Sequence, residues 1–210
     1  DQLAALHAVD VAAAGLGDLG KPDGYAQRQV EGWLARWTRA RTDDVPDIDA
    51  LGSWLLSHLP ERSDATLVHN DYKFDNVMVD AASPTRIVAV LDWEMCTIGD
   101  PLLDLGTTLA YWVEPGDDPA WKTMAFGPTM LPGAMTRQEL AARYADRTGR
   151  DVSGMLYCYA FGLLKIAVIV QQIYFRYRNG FTADARFASL DQVVVVLGRT
   201  ALAAIERGRY

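Results

Sequence analysis

The chain has 210 residues and a mass of 23.2 kDa, half of them apolar, which fits one globular domain or a large lobe of a bigger enzyme. Charged residues at 22% and aromatic residues at 10% exclude a disordered chain, because such a composition can bury a core. Twenty Lys and Arg against 27 Asp and Glu leave a formal charge of -7, which argues against a general nucleic-acid binder that displaces counterions from phosphates.

Residues 1–6 carry the apolar spacing of a helix interior without a capping run before it, and the Ala-rich stretch 7–14 is also helix-like. Beginning with Asp1 rather than Met, the chain reads as processed or as a fragment. A Gly-rich loop follows over residues 15–24. Val30, Trp33, Leu34 and Trp37 then recur at helical spacing across residues 25–41. Pro46 and Asp47 start a helix that buries Ile48, Leu51, Leu55 and Leu59 and stops before Pro60. Residues 66–68, 77–79 and 86–91 are short runs of Val, Leu and Ile. The last two flank a turn-forming stretch from Asp80 to Thr85, a length suited to a hairpin. From Leu102 onward the chain is helical, with Pro and Gly clusters near residues 114–119 and 126–133. The apolar stretch 155–175 is broken by Lys165, Gln171 and Gln172, so it reads as a buried helix rather than a membrane span. Four consecutive valines from Val193 favour a strand, but the helical run that follows them makes the whole segment a predicted helix.

Two features argue against other chemistries. Cys96 and Cys158 lack metal-ligand spacing, and His7, His58 and His69 form no HxxH or HExxH pair, so a zinc site is not expected. Residues 15–20, GLGDLG, match the dinucleotide pattern GxGxxG, and residues 15–21 also match GxxxxGK. No strand precedes them, Pro22 supplies no hydroxyl for Mg²⁺, and no Val-Ala-Ile-Lys type strand follows. The loop is expected to be a flexible connector.

The informative segment is LVHNDYKFDNVMVD over residues 67–80, followed by IVAVLDWE over residues 87–94. If the two flanking strands pair, the end of the second returns beside the start of the first, and Asn76 meets Asp92. An amide oxygen and a carboxylate are hard ligands of the kind Mg²⁺ prefers when it also holds phosphates. Asp71, on the loop entering the hairpin, is placed to accept a proton from an attacking hydroxyl. Lys73 reads equally well as a phosphate contact or a solvated lysine. Asp100 before Pro101 reads as a helix cap, and Asp104 as a buried acceptor for backbone or His69 hydrogen bonds. The aromatic residues Tyr111, Trp112, Tyr157, Tyr159, Phe161, Tyr174, Phe175 and Tyr177 could line a substrate pocket, but helical spacing favours core.

H-x-D-x-x-x-x-N followed by I/V-x-D-W-E resembles the aminoglycoside and choline phosphotransferases, which share the protein-kinase-like fold. The run AVLDWEMCTIGDPLLDL at residues 89–105 is similar to the phosphotransferase domains fused to acyl-CoA dehydrogenases and to their stand-alone bacterial relatives. Trp33 and Trp37, Val45-Pro46 and the segment 176–180 fit that subgroup, so the resemblance covers nearly the whole chain. It implies a catalytic Asp71, with Lys73 near the transferring phosphoryl group. It implies that Asn76 and Asp92 hold Mg²⁺ bridging the phosphates of ATP, while His69 and Asp104 brace the loop. Asn70 stands where Gly is common in the family, and Trp93-Glu94 replaces the Phe-Gly of protein kinases.

The expected fold is α+β and mainly helical, the C-terminal lobe of a kinase-like fold with a small catalytic β-hairpin. Residues 1–60 form a helical connector with helices, 61–105 the catalytic and metal-binding segment, and 106–210 a helical substrate-side subdomain. A Gly-rich loop and strand lysine of an N-terminal nucleotide lobe are not found in residues 1–210, so the chain is expected to be an inactive fragment alone, with apolar surface open to self-association. The expected activity is phosphoryl transfer from ATP to a hydroxyl of a small molecule, a hydroxyacyl compound being at least as plausible as an aminoglycoside. Neither a nucleic acid nor a membrane is an expected partner, and without a visible signal peptide the expected compartment is the cytoplasm. The rival reading is a catalytically silent binding module that keeps the fold; intact Asp71, Asn76 and Asp92 count against it.

Overall fold

The computed structural model describes residues 1–61, 64–123 and 127–210. Phe126, which opens the second Pro and Gly cluster, lies outside the described residues. Helix α1 (Gln2–Leu6) is short, and the Ala-rich stretch after it forms turns rather than the expected helix. The reason is local: the Asp10 carboxylate accepts from the amides of Ala12 and Ala13, both at 3.0 Å, and so competes with helical bonding. Helix α2 (Tyr25–Ala40) buries Val30, Trp33 and Trp37 along one face. Helix α3 (Pro46–Ser57) begins with Pro46 in its first turn, where the missing N–H costs nothing.

Two small antiparallel sheets follow. Strands β2 (Val77–Val79) and β3 (Ile87–Val90) form the expected hairpin, with Val77 opposite Val90 and Met78 opposite Ala89. Strand β1 (Thr66–Val68) pairs instead with β4 (Thr97–Gly99), a strand the sequence does not signal because it is short, ends in Gly and finds its partner some thirty positions upstream. The Gly-rich loop docks here. Leu19 O accepts from Thr97 Oγ1 at 3.1 Å, and a Cβ on Gly20 would collide with Thr97 and the Ile98 backbone. The loop is therefore the cover of β4, not a free connector, and no strand leads into it.

Helix α4 (Pro101–Ala110) starts on Asp100, whose carboxylate accepts from Leu102 N at 2.7 Å. After α5 (Pro119–Lys122) comes α6 (Arg137–Thr148), opened by a reciprocal capping box between Thr136 and Glu139. Helices α7 (Met155–Arg178) and α8 (Leu190–Arg207) complete the chain, so the valine run is helical as expected. By length and composition α7 and the segment Ala185–Arg207, which ends in α8, are long and apolar enough to cross a membrane. In this molecule α7 is wrapped by α2, α4 and α8, and most of it is buried. Its crossing with α4 is close enough that a Cβ on Gly106 would overlap the Cys158 backbone. That crossing fixes α4, and α4 carries the site.

Candidate active site

Asp71 lies on the loop between β1 and β2. Side chains sent from distant helices, rather than a backbone ladder, hold this loop. Asp104 of α4 is fully buried and accepts from the amides of His69 at 2.7 Å and Asn70 at 2.8 Å. It also accepts from His7 Nε2 at 3.1 Å, and His7 Nδ1 lies 2.7 Å from the Tyr144 hydroxyl. Burial pushes the Asp104 carboxyl up, but the bond from His7, its positive field and the His69 amide outweigh that and hold it below the ordinary range. The ring that meets Asp104 is thus His7, not His69.

His69 braces the loop another way. Its Nδ1 accepts from the Asp71 amide at 3.2 Å, so Nε2 carries the proton and donates to Leu91 O at 2.9 Å. Leu91 in turn donates its N–H to Asn76 O at 2.8 Å. Through these bonds the end of β3 is drawn to the start of β2, and Asp92 follows directly. Asp92 is exposed and has left-handed backbone, φ 64°. Trp93 packs against the His69 ring at 4.8 Å between centroids and donates Nε1 to Val90 O at 2.8 Å.

Asn70 also has left-handed backbone, φ 66°, a conformation glycine adopts at no steric cost. The asparagine is kept there by its side chain, which accepts from the Tyr25 hydroxyl at 3.0 Å and donates to Met95 O at 3.0 Å.

The Asp71 carboxylate gathers three donors. Oδ1 accepts from the Tyr111 hydroxyl at 3.0 Å, and Oδ2 accepts from Lys73 Nζ at 2.7 Å and Asn76 Nδ2 at 2.9 Å. Asn76 Nδ2 also donates to the Asp71 carbonyl at 2.8 Å, and both residues are more than nine-tenths buried. Lys73 lies 4.7 Å over the Tyr111 ring. The structure therefore brings Asp71, Lys73 and Asn76 into one bonded group and sets Leu91, the residue before Asp92, opposite Asn76 along the hairpin.

Sequence reasoning gives neither His7 nor Tyr111 a role at Asp71: His7 carries no local signal, and Tyr111, weighed as a pocket aromatic but favoured as core, lines both cavities. A signal for Tyr111 exists: Asp104, Thr108 and Tyr111 fall at i, i+4 and i+7, one face of a helix. All three bond the loop, Thr108 Oγ1 donating to Tyr72 O at 2.9 Å. Burial and the Asp71 charge push the Tyr111 hydroxyl far above the usual range, so it remains a donor. Tyr157, Tyr159, Phe161 and Tyr174 are core, as their spacing suggests.

Lys73 and Tyr111 form a shared wall between two cavities. One, of about 410 Å³, runs along α7 past Ile166, Ile169 and Ile173 to Phe187 and Arg186. The other, of about 190 Å³, is lined by Tyr72, Phe74, Ile87 and Trp112. A cavity of about 450 Å³ around Arg137 and Arg199 contains none of the loop residues and is remote from this chemistry.

A buried aspartate presented ahead of a hairpin, with the helical core behind it, places the molecule among kinase-like phosphotransferase folds. Ninety-eight per cent of the chain superposes on a solved protein of Ralstonia eutropha described as a candidate aminoglycoside phosphotransferase, with TM-score 0.83 and 32% identity. A macrolide 2'-phosphotransferase type I shares the fold at TM-score 0.56 and 19% identity over 91% of this chain and 56% of that one. The model of the phosphotransferase enzyme family matches residues 1–151, and the chain belongs to that family. Among curated relatives, acyl-CoA dehydrogenase family member 10 of Mus musculus is 32% identical over 87% of this chain. Family member 11 of Homo sapiens is 29% identical over 99% of it. The chain spans 17% and 26% of those two relatives and 62% of the Ralstonia protein.

Proposed function

We propose that this chain carries the acceptor and metal side of a phosphotransferase that moves the γ-phosphoryl group of ATP, with Mg²⁺, to a hydroxyl of a small molecule. The observation that carries the reading is the Asp71 carboxylate, buried and oriented by Asn76 and by Lys73 and Tyr111, the two residues that line both cavities. An acceptor hydroxyl in the larger cavity hydrogen-bonds Asp71, which takes its proton as the new O–P bond forms and the bond to the ADP oxygen breaks. Asn76 has committed its NH₂ to Asp71, so its Oδ1 is the atom left for a ligand. Together with the Asp92 carboxylate it makes a hard oxygen donor set that fits Mg²⁺. Bound there with ATP, the metal supplies charge neutralisation of the phosphates. Lys73 adds a cation beside the transferring group, and His69 and Asp104 keep the loop in place.

The 410 Å³ cavity supports the substrate class. Among the described residues its walls are Ile166, Ile169, Val170, Ile173, Phe187 and Leu190, and its charged lining residues are Lys73 and Arg186, each already paired with a carboxylate, Asp71 and Asp184. A polycationic aminoglycoside finds little acidic lining there, Asp71 and Asp184 being already paired, whereas a hydroxyacyl chain buries its methylenes against the isoleucines. We assign the remaining nucleotide contacts to a lobe outside these residues, so the chain alone is inactive. Exposed Met78, Val79, Val88 and Trp93 on the hairpin support self-association through that face. Free Cys96 and Cys158 suit a reducing cytoplasm.

The test is transfer of labelled γ-phosphate by the full-length protein to a panel of hydroxyacyl compounds and aminoglycosides. Mg²⁺-dependent labelling of a hydroxyacyl acceptor is the expected result. Labelling of aminoglycosides alone would overturn the substrate class, and no labelling of any acceptor would overturn the activity.

A further inference from the structure

Lys165 sits mid-way along α7 with 1% of its surface exposed, and no step above uses it. A buried ammonium is costly unless it is paired. This one donates to the carbonyl of Asn70, the residue just before Asp71, and lies 5.7 Å over the Trp33 ring. The peptide unit linking Asn70 to Asp71 is therefore held at both polar atoms: Lys165 takes its oxygen, and His69 Nδ1 takes its N–H at 3.2 Å. Asn70 is left-handed, so its carbonyl leaves the direction of the β1 strand and needs a partner from elsewhere in the fold. The charged groups facing Lys165 come from three elements. Asp104 of α4 and Asp71 of the loop favour its charge; Lys73 of the loop and Arg36 of α2 oppose it.

We propose, resting on the reading of Asp71 above, that Lys165 is a positioning residue whose ammonium sets the Asn70–Asp71 peptide plane and so aims the Asp71 carboxylate at the acceptor hydroxyl. A neutral residue here leaves the carbonyl without its charge-assisted bond and removes the positive field that Lys165 adds at Asp104 and Asp71. Burial pulls the Lys165 ammonium down to about 8. Its proton is therefore lost in weakly alkaline solution, and the clamp becomes an ordinary neutral bond.

Amide NMR of the chain from about pH 6 to about pH 10 tests the clamp without any enzyme assay. The amides of His69, Asn70 and Asp71 should titrate together with a midpoint near 8, and that titration should vanish in Lys165→Met and in Lys165→Arg, whose charge persists. Amides that stay silent over this range in the wild type, or that titrate unchanged in a folded Lys165→Met variant, overturn the proposal. If Lys165→Met does not fold, the wild type and Lys165→Arg decide it. In the full-length enzyme, Lys165→Met should lower kcat roughly tenfold or more with the KM for ATP little changed, and should remove the alkaline fall in rate. Full kcat with an unchanged pH profile overturns the positioning role. A wild type that transfers no phosphate refutes the functional reading instead, and the NMR result still decides the clamp.

Discussion

Replacing Asp104 with Asn tests the bracing of the loop most directly. The side chain is wholly buried and accepts from two backbone amides, at 2.7 and 2.8 Å, and from His7 at 3.1 Å. Asparagine has nearly the same shape but turns an NH₂ group toward one of those amides, so a buried donor loses its acceptor. The remaining bonds also lose their charge assistance. An orphaned buried donor costs about 1–3 kcal/mol and a charged hydrogen bond contributes about 1.5–3 kcal/mol, so we expect a loss of about 3 kcal/mol. For a domain of this size that lowers Tm by about 6–12 °C. Urea unfolding of both proteins at neutral pH, with a common m-value, measures the difference. The pH dependence supplies a second check. The folded-state value of Asp104 is lowered from its ordinary 3.8, so its stabilisation is fully present above that value and is lost as pH falls through the lower, folded value. The gap between wild type and Asp104→Asn should accordingly hold steady from about pH 7 to about pH 5 and close only in stronger acid. A difference under about 1 kcal/mol, or one that collapses already by about pH 5, would refute the bracing role.

Three further outcomes follow from the same geometry. Asp71→Asn should lower turnover of the full-length enzyme about 10²–10⁴-fold, because the amide cannot take the acceptor proton, and should lower Tm as well, because its NH₂ competes with the donors Lys73 and Asn76; steady-state kinetics at a temperature where calorimetry shows both proteins folded would separate the two. Asp92→Ala should destabilise by no more than about 1–2 kcal/mol, the cost of alanine in a left-handed conformation, but raise the Mg²⁺ needed for half-maximal rate about tenfold or more. An unmoved metal titration would remove Asp92 from the donor set. Gly106→Ala should destabilise by about 1–3 kcal/mol, because the new methyl meets the Cys158 backbone where α4 crosses α7; equal thermal midpoints would mean that the helices separate without cost.

The parts of this molecule legible in its sequence are those written within a few positions of one another. The amphipathic spacing of Val30, Trp33 and Trp37, the Asp100–Pro101 start of α4 and the two valine-rich runs around a turn each encode their own element. The spacing from Asp71 to Asn76, carried on a loop entering that hairpin, encodes the loop that bonds them. Even the helical fate of the valine run is local, because the residues after it favour helix strongly enough to override β-branched propensity.

Tertiary structure decided the rest, where the partner lies far along the chain and no period announces it. Thr97–Gly99 is a strand only because β1 is there to pair with it, and residues 15–20 become the cover of β4 only once Gly20 is pressed against Ile98. His7 reaches Asp104 across 97 positions, and Lys165 reaches Asn70 across 95. His7 does not differ in sequence from a histidine that faces water, and Lys165, though set in an apolar stretch, carries no sign of its partner; burial removes the solvent that would otherwise satisfy a polar group and leaves a protein partner to do so. Spacing along the chain thus identified the acidic loop, whereas the side chains that hold it could be assigned only after α4 and α7 had packed against it.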